Sequence, residues 1–377
     1  MVFPARSPFR LPTLLCALCF GFVSVASAAE SMGQWRGLAP LPDPIGFSGM
    51  FAGVLQGQLI VGGGSQFEQP LWKGGVKRYT DKMWALASVE GDWQELPLKL
   101  PLASAHFASA ASPGAIYLAG GIGDAASLKV VHVLRENGEL REWERLADLP
   151  APVVYACASI ANGRLFVIGG VSNPSSKAPL RAVWSLALSK TGEHPGWRRE
   201  ADLPGPGVFV ATATAVGNNL YVFGGMAVDP EGNYAPSSRA YVLDTTTGQW
   251  RELAALPEPR AGPLSAALGR DDDRILIAGG YSEVFAGSPR EHPAFDTRTF
   301  FYDPKTNAWS DGPVLPQTPV VDRDAPSEVG PAPMIGAPGI VWREFFLAIN
   351  GEVRPSVRST QVLAWPISNP VSPLFSK

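Results

Sequence analysis

Residues 211–257 read ATATAVGNNLYVFGGMAVDPEGNYAPSSRAYVLDTTTGQWRELAALP, four short β-prone runs separated by turn-forming residues. ATATAV at 211 is built from small and β-branched residues. LYVFGG, which follows at Leu220, is apolar throughout and closes on the pair Gly224 and Gly225. AYVL at 240 is the third run, and the fourth carries Trp250, seven residues before Pro257. Short continuous apolar runs bounded by Gly, Asn, Asp and Pro read as strands buried on both faces.

The same landmarks recur along the chain. Glycine pairs close apolar runs at Gly63 and Gly64, Gly120 and Gly121, Gly169 and Gly170, and Gly279 and Gly280, with a degenerate copy at Asn350 and Gly351. Tryptophans precede a proline by seven residues at Trp35, Trp143, Trp197, Trp250 and Trp309, and by eight at Trp93. Between each pair and the next tryptophan lies a third run: MWAL at 83, VHVL at 131, VWSL at 183, AYVL at 240, FFYD at 300 and QVLAW at 361. A period of about 50 to 70 residues made of short strands predicts an all-β, six-bladed β-propeller with one four-stranded blade per repeat. The pattern resembles the kelch repeat, in which the tryptophans wedge between blades and the glycines permit a sharp exit from the second strand.

The two ends of the chain are complementary. Trp35 has no glycine pair before it, and the run QVLAW has no fourth-strand tryptophan after it. The N-terminal strand is therefore expected to complete the C-terminal blade and leave no open sheet edge.

Composition agrees with this reading. With 40 Gly and 36 Pro the chain cannot be a helical bundle, and 46% hydrophobic residues exclude disorder for its bulk. Lys and Arg number 31 against 34 Asp and Glu, for a net charge of −3, which gives no electrostatic footprint for nucleic acid. Arg6 and Arg10 precede an apolar run over residues 11–25 that ends in Ala26, Ser27 and Ala28. Residues 1–28 thus read as a secretory signal, 29–377 as one propeller domain, and the mature protein as periplasmic or secreted, with no membrane partner. Only Cys157 remains after maturation, so no intrachain disulfide is expected.

In an up-and-down blade, the turns after the second and fourth strands share one rim, where ligand sites favour the concave mouth. The residues following the pairs are Ser65, Ile122, Val171, Met226, Tyr281 and Glu352, and only Glu352 is charged. It opens GEVRPSVRS, with Arg354 two residues on and Arg358 six residues on. A rim carboxylate flanked by guanidinium groups has the makings of a proton acceptor beside an anion-binding group. The same residues would also suit a surface ion pair.

The segments NGEVRPSVRS and DPIGFSGMFAGVLQGQLIVGGG, the second starting at Asp43, resemble the N-acetylneuraminate epimerase (sialic acid mutarotase) family of kelch propellers, in a circularly permuted order. The resemblance covers essentially the whole mature chain and carries that family's catalytic glutamate and arginine to Glu352 and Arg358. It departs at Asn350, in place of a glycine of the pair, and at Ser356, in place of the glycine before the second arginine. It implies anomer interconversion of N-acetylneuraminate or a related sugar acid by general acid/base ring opening, without metal or cofactor. Arg358, and after it Arg354, would face the substrate carboxylate.

Further substrate-binding candidates lie in the insertion 65–79, which contains Glu68, Trp72, Lys73, Lys77 and Arg78, and at Phe47 and His106 near the starts of inner strands. A second insertion over 281–298 holds Glu283, Arg290, Glu291 and His292. His106, His132, His194 and His292 are scattered without metal-ligand spacing, so no metal is expected. The competing reading is a non-catalytic kelch propeller that binds a glycan or a protein at the same rim. The sequence leaves the oligomeric state open.

Overall fold

The computed structural model describes residues 33–138, 140–188, 196–269, 272–319, 329–331 and 335–367. The export signal read over 1–28, and His194, lie outside them. Six four-stranded antiparallel sheets form the propeller. Blade 4, the stretch quoted first above, runs Thr212–Val216, Asn219–Phe223, Ala240–Asp244 and Gln249–Glu252 from the axis outward. Blades 1, 2, 3 and 5 repeat this order from Phe51–Leu55, Ala108–Ser112, Cys157–Ala161 and Leu264–Ala267. Blade 6 is assembled from both ends of the chain. Its inner strands are Gly339–Trp342, Phe345–Ile349 and Val362–Pro366, and its outermost is Arg36–Gly37, with Arg36 opposite Ala364 and Gly37 opposite Leu363.

Small residues dominate most of the innermost strands, because six of them converge on the axis. Second strands such as Phe345–Ile349 are wholly buried, because both faces of each sheet pack on a neighbour. The core is accordingly divided into layers between blades: Phe51 and Leu55 of blade 1 pack with Ile116 and Leu118 of blade 2, and Tyr221 and Phe223 of blade 4 with Ile275 and Tyr302 of blade 5. No helix among the described residues is long and apolar enough to cross a membrane.

The tryptophans tie each blade to the one before it. The indole N–H donates to the backbone carbonyl four residues past the preceding tryptophan: Trp93 to Ala39 at 2.9 Å, Trp197 to Ala147 at 2.8 Å, Trp250 to Ala201 at 3.1 Å, Trp309 to Ala254 at 2.9 Å and Trp35 to Pro313 at 3.1 Å. Trp143 breaks the rule, its buried Nε1 having no hydrogen-bond partner among the described residues. The blade it faces is the one with the eight-residue spacing from Trp93 to Pro101.

A second ring runs round the axis itself. Gly49, His106, Tyr155, Val210, Gly262 and Gly336 precede the six inner strands, and all have left-handed backbone, with φ from 46° to 75°. Their peptides hand hydrogen bonds from blade to blade: His106 N–H to Gly49 at 2.9 Å, Tyr155 to His106 at 3.3 Å, Val210 to Tyr155 at 2.8 Å, Gly262 to Val210 at 2.8 Å and Gly49 to Gly336 at 2.6 Å. A β-branched residue such as Val210 is strained at φ 46°, and bonds on both sides hold it there.

The degenerate glycine pair keeps its shape. Asn350 has φ 57°, close to the 61° to 66° of the first glycine in the other five pairs, and asparagine is among the side chains that tolerate this region. The N–H of Gly351 donates to the Phe47 carbonyl at 2.9 Å, as that of Gly121 does to Val153 at 2.8 Å.

Trp93→Phe removes a satisfied buried N–H and orphans a carbonyl, so it should lower the unfolding free energy by about 1 kcal/mol more than Trp143→Phe, which removes a donor that has no partner. Urea denaturation of the two variants checks this, and equal losses would contradict the role given to the indole bonds.

Candidate functional site

On the rim predicted to carry the site, the axis opens into a cavity of about 320 Å³ whose wall includes Lys77, His106, Tyr155 and Glu352. A second chamber of about 420 Å³ continues along the axis, lined mainly by Ala, Ser and Thr of the inner strands and by no charged residue. The ionisable groups are thus confined to one end of the channel.

Glu352 is placed by a hairpin, Glu352–Arg354 against Val357–Arg358, between the second and third strands of blade 6. The six-residue spacing from Glu352 to Arg358 is that of cross-strand partners over this tight turn. Ser356 sits in the turn at φ 69°, so it takes the left-handed conformation for which glycine is the easier residue. Its hydroxyl accepts the Leu71 N–H at 3.1 Å, which docks the 65–79 insertion onto the hairpin.

Arg358 pairs with Glu352 but does not reach the cavity. Its side chain is fully buried, Nε donates to the Ser65 carbonyl at 3.0 Å, and the guanidinium lies 5.0 Å from the Phe67 ring centroid. Its Nη2 has no hydrogen-bond partner among the described residues. Burial lowers the Arg358 pKa, against the pull of Glu352. The geometry therefore places Arg358 behind the carboxylate and out of the cavity wall, whereas the resemblance implied that it faces the substrate.

Across the cavity, the rings of His106 and Tyr155 are 4.8 Å apart. His106 Nε2 lies 3.5 Å from Ser65 Oγ. Burial, reinforced by the charges of Lys77 and Arg358, holds the His106 imidazole well below its ordinary range, so it is neutral at pH 7. Burial pushes the Tyr155 phenol up to about 12, with Tyr79 and Glu352 adding to the effect, and pushes Tyr281 to about 12 with help from Glu352. Both phenols therefore keep their protons at neutral pH. The cavity wall thus brings together one carboxylate, one protonated phenol, a neutral imidazole and the Lys77 ammonium.

The other expected residues fall in several places. Phe47 is 1% exposed and packs on Trp84 at 5.5 Å between ring centroids, which makes it a core residue because its strand end turns into the layer between blades 6 and 1. Trp72 packs on Val353 and Val357 at the back of the hairpin. Lys73, on the short 3-10 turn Leu71–Lys73, is exposed, and so is Arg78, whose strand neighbour Lys77 points the opposite way, into the cavity. Arg354 stands beside the second insertion, where burial, and after it the Arg354 charge, lowers the His292 pKa.

Tyr155 lines the cavity although the sequence reading does not single it out. Tyr155 does carry a signal: it lies two residues before its inner strand, in register with Gly49, His106, Val210 and Gly262. Cys157, two residues further on, is buried, and burial raises its thiol to about 12. Among the described residues, no group of three or more His, Cys, Asp or Glu is arranged to hold a metal ion.

The family described as the KLHDC2/KLHL20/DRC7 Kelch-repeats domain matches residues 105–325, more than half of the chain. The protein belongs to the kelch-repeat propellers. It is 27% identical over 235 residues to beta-scruin of Limulus polyphemus, and 24% identical over 250 residues to the N-acetylneuraminate epimerase of Yersinia pestis (strain Pestoides F). These alignments cover 59% and 58% of this chain, but only 24% of beta-scruin and 57% of the epimerase. Among solved structures, YjhT superposes with a TM-score of 0.63 at 17% identity, covering 87% of this chain and 97% of that one, a likeness of fold.

A buried imidazole that refuses a proton makes stability fall with acid. The unfolded chain takes up that proton below about pH 6.5 while folded His106 does not, so the contribution is complete above that pH and is lost as pH drops, by up to about 1.4 kcal/mol per pH unit. His106→Asn, which tolerates the same left-handed backbone, should flatten the slope between pH 6.5 and pH 5 by up to about that amount. Denaturant titrations at several pH values measure it, and parallel curves would refute the assignment.

Proposed function

We propose that this protein is a mutarotase that interconverts the anomers of N-acetylneuraminate or a related sugar acid. The observation that carries the reading is the Glu352–Arg358 cross-strand pair, with the Glu352 carboxylate in the wall of an axial cavity and a protonated Tyr155 in the same wall. The similarity to a protein named N-acetylneuraminate epimerase supports the choice of substrate. A cavity of about 320 Å³ lies in the range that small ligands occupy. The setting would be the periplasm or the exterior, after removal of the export signal.

In this mechanism, Glu352 accepts the proton of the anomeric hydroxyl as the bond from the anomeric carbon to the ring oxygen breaks, and Tyr155 gives the ring oxygen its proton. The open-chain ketone turns and recloses on its other face. Glu352 then returns its proton to the carbonyl oxygen, and the attacking hydroxyl restores the Tyr155 phenol. Neither metal nor nucleotide takes part. Arg358 touches no reacting atom; it is a positioning residue that fixes the carboxylate.

NMR of freshly released α-anomer tests this. Wild-type protein should speed anomer equilibration, and Glu352→Gln should lose about 10²- to 10⁴-fold of that acceleration. The same variant leaves Arg358 buried without its counter-ion and should lose up to about 3 kcal/mol of stability. Glu352→Gln combined with Arg358→Met should regain most of that stability and none of the activity. Equilibration no faster with wild-type protein than without it, across N-acetylneuraminate and a small panel of sugar acids, would leave a glycan- or protein-binding propeller as the better reading.

A further inference from the structure

Three cations stand near Glu352: Lys77, Arg354 and Arg358. Among the described residues, Lys77 is the one Lys or Arg in the cavity wall. Its place follows from the strand pair Ser65–Phe67 and Lys77–Tyr79, in which Lys77 lies opposite Phe67. Alternation turns Lys77 inward and leaves Arg78 exposed. The Lys77 ammonium lies 5.8 Å from the centroid of the Phe67 ring, which also carries the Arg358 guanidinium. Among the described residues, no carboxylate pairs with it.

We infer that Lys77, in place of either arginine, is the counter-ion for the ligand's anionic group, so that the cavity discriminates in favour of a monoanionic sugar. The identity of that sugar rests on the function proposed above. Charge arithmetic supports the role of Lys77 separately. Glu352, the carboxylate in the wall, is already engaged by Arg358, the His106 imidazole is neutral, and the Tyr155 phenol is protonated. Lys77 therefore leaves the site one positive charge in excess, and burying an unpaired ammonium is costly unless an anion arrives. Burial and the Arg358 charge lower the Lys77 pKa, while Glu352 raises it in part. A bound carboxylate would raise it again.

The groups facing Lys77 are Glu352 and Arg358 on the hairpin, His106 and Tyr155 across the cavity, and Tyr79 on its own strand. Of these, His106 is already neutral at pH 7, and Tyr155 holds its proton up to about 12. As pH rises through the lowered Lys77 pKa, affinity for an anion should therefore fall while affinity for a neutral sugar stays level. Lys77→Arg should keep anion affinity at a pH where the wild type has lost it.

The test is calorimetric titration of full-length wild type, Lys77→Gln and Lys77→Arg with N-acetylneuraminate and with its uncharged methyl ester, alongside the anomer assay. Lys77→Gln should weaken the acid by about tenfold or more and the ester by less than about twofold. It should also raise the melting temperature of the ligand-free protein, because it removes an unpaired, half-buried charge. Equal losses for acid and ester, or an unchanged preference for the acid, would overturn the role of Lys77 even if anomer exchange is fast. Tight acid binding that depends on Lys77, without accelerated exchange, would overturn the enzymatic reading and uphold the anion site. Failure of the wild type to bind either sugar would overturn both.

Discussion

Everything at the cavity end of this propeller depends on a run of five backbone hydrogen bonds that links six left-handed residues, one ahead of each inner strand. Blades otherwise meet through apolar layers, which resist separation but are poor at fixing azimuth. The backbone hydrogen bonds that run from Gly336 to Gly49, to His106, to Tyr155, to Val210 and to Gly262 supply that missing direction. They also decide which side chains look into the cavity. On one arc of the ring stand His106, Tyr155 and Val210, and on the other stand three glycines. A Cβ on Gly49 would come within 2.5 Å of the His106 ring, and one on Gly336 within 2.1 Å of the Ser48 hydroxyl. The glycine arc keeps space open where the Glu352 carboxylate emerges.

Charge at the site is arranged in depth. Arg358 lies behind Glu352, fully buried, and Lys77 beside the cavity, with the Phe67 ring in contact with both cations. Each of these groups costs folding energy on its own, because burial disfavours both cations and leaves an Arg358 nitrogen unsatisfied. Evenly repeated blades have no structural need for such a cluster. Its concentration on one rim, with the 420 Å³ chamber below it free of charged residues, is the arrangement on which the proposed function rests.

The site is also where the chain ends meet. Blade 6 is closed by Arg36–Gly37, so the Glu352 hairpin of the last blade lies against the 65–79 insertion of the first. The Leu71 N–H on the Ser356 hydroxyl and Trp72 on Val353 and Val357 make that junction. Serine in place of the glycine thus adds a docking contact while keeping the turn.

Much of the architecture was determined by local sequence. Glycine pairs, tryptophan spacing and apolar runs are short-range signals, so the six blades and their strand order could be read from the repeats, and the strand shared between the ends from Trp35, Gly351 and QVLAW. Glu352 and Arg358 were legible for the same reason, since cross-strand partners over a tight turn are close in sequence. Tertiary structure decided what lies on opposite sides of the axis, because those contacts join residues from different repeats. Only closure of the ring shows that Phe47 belongs to the core, that Arg358 is sealed behind its carboxylate, and that Lys77 and Tyr155, far apart along the chain, face one cavity. Burial sets the protonation of these groups, and burial is a property of the assembled ring that no single repeat contains.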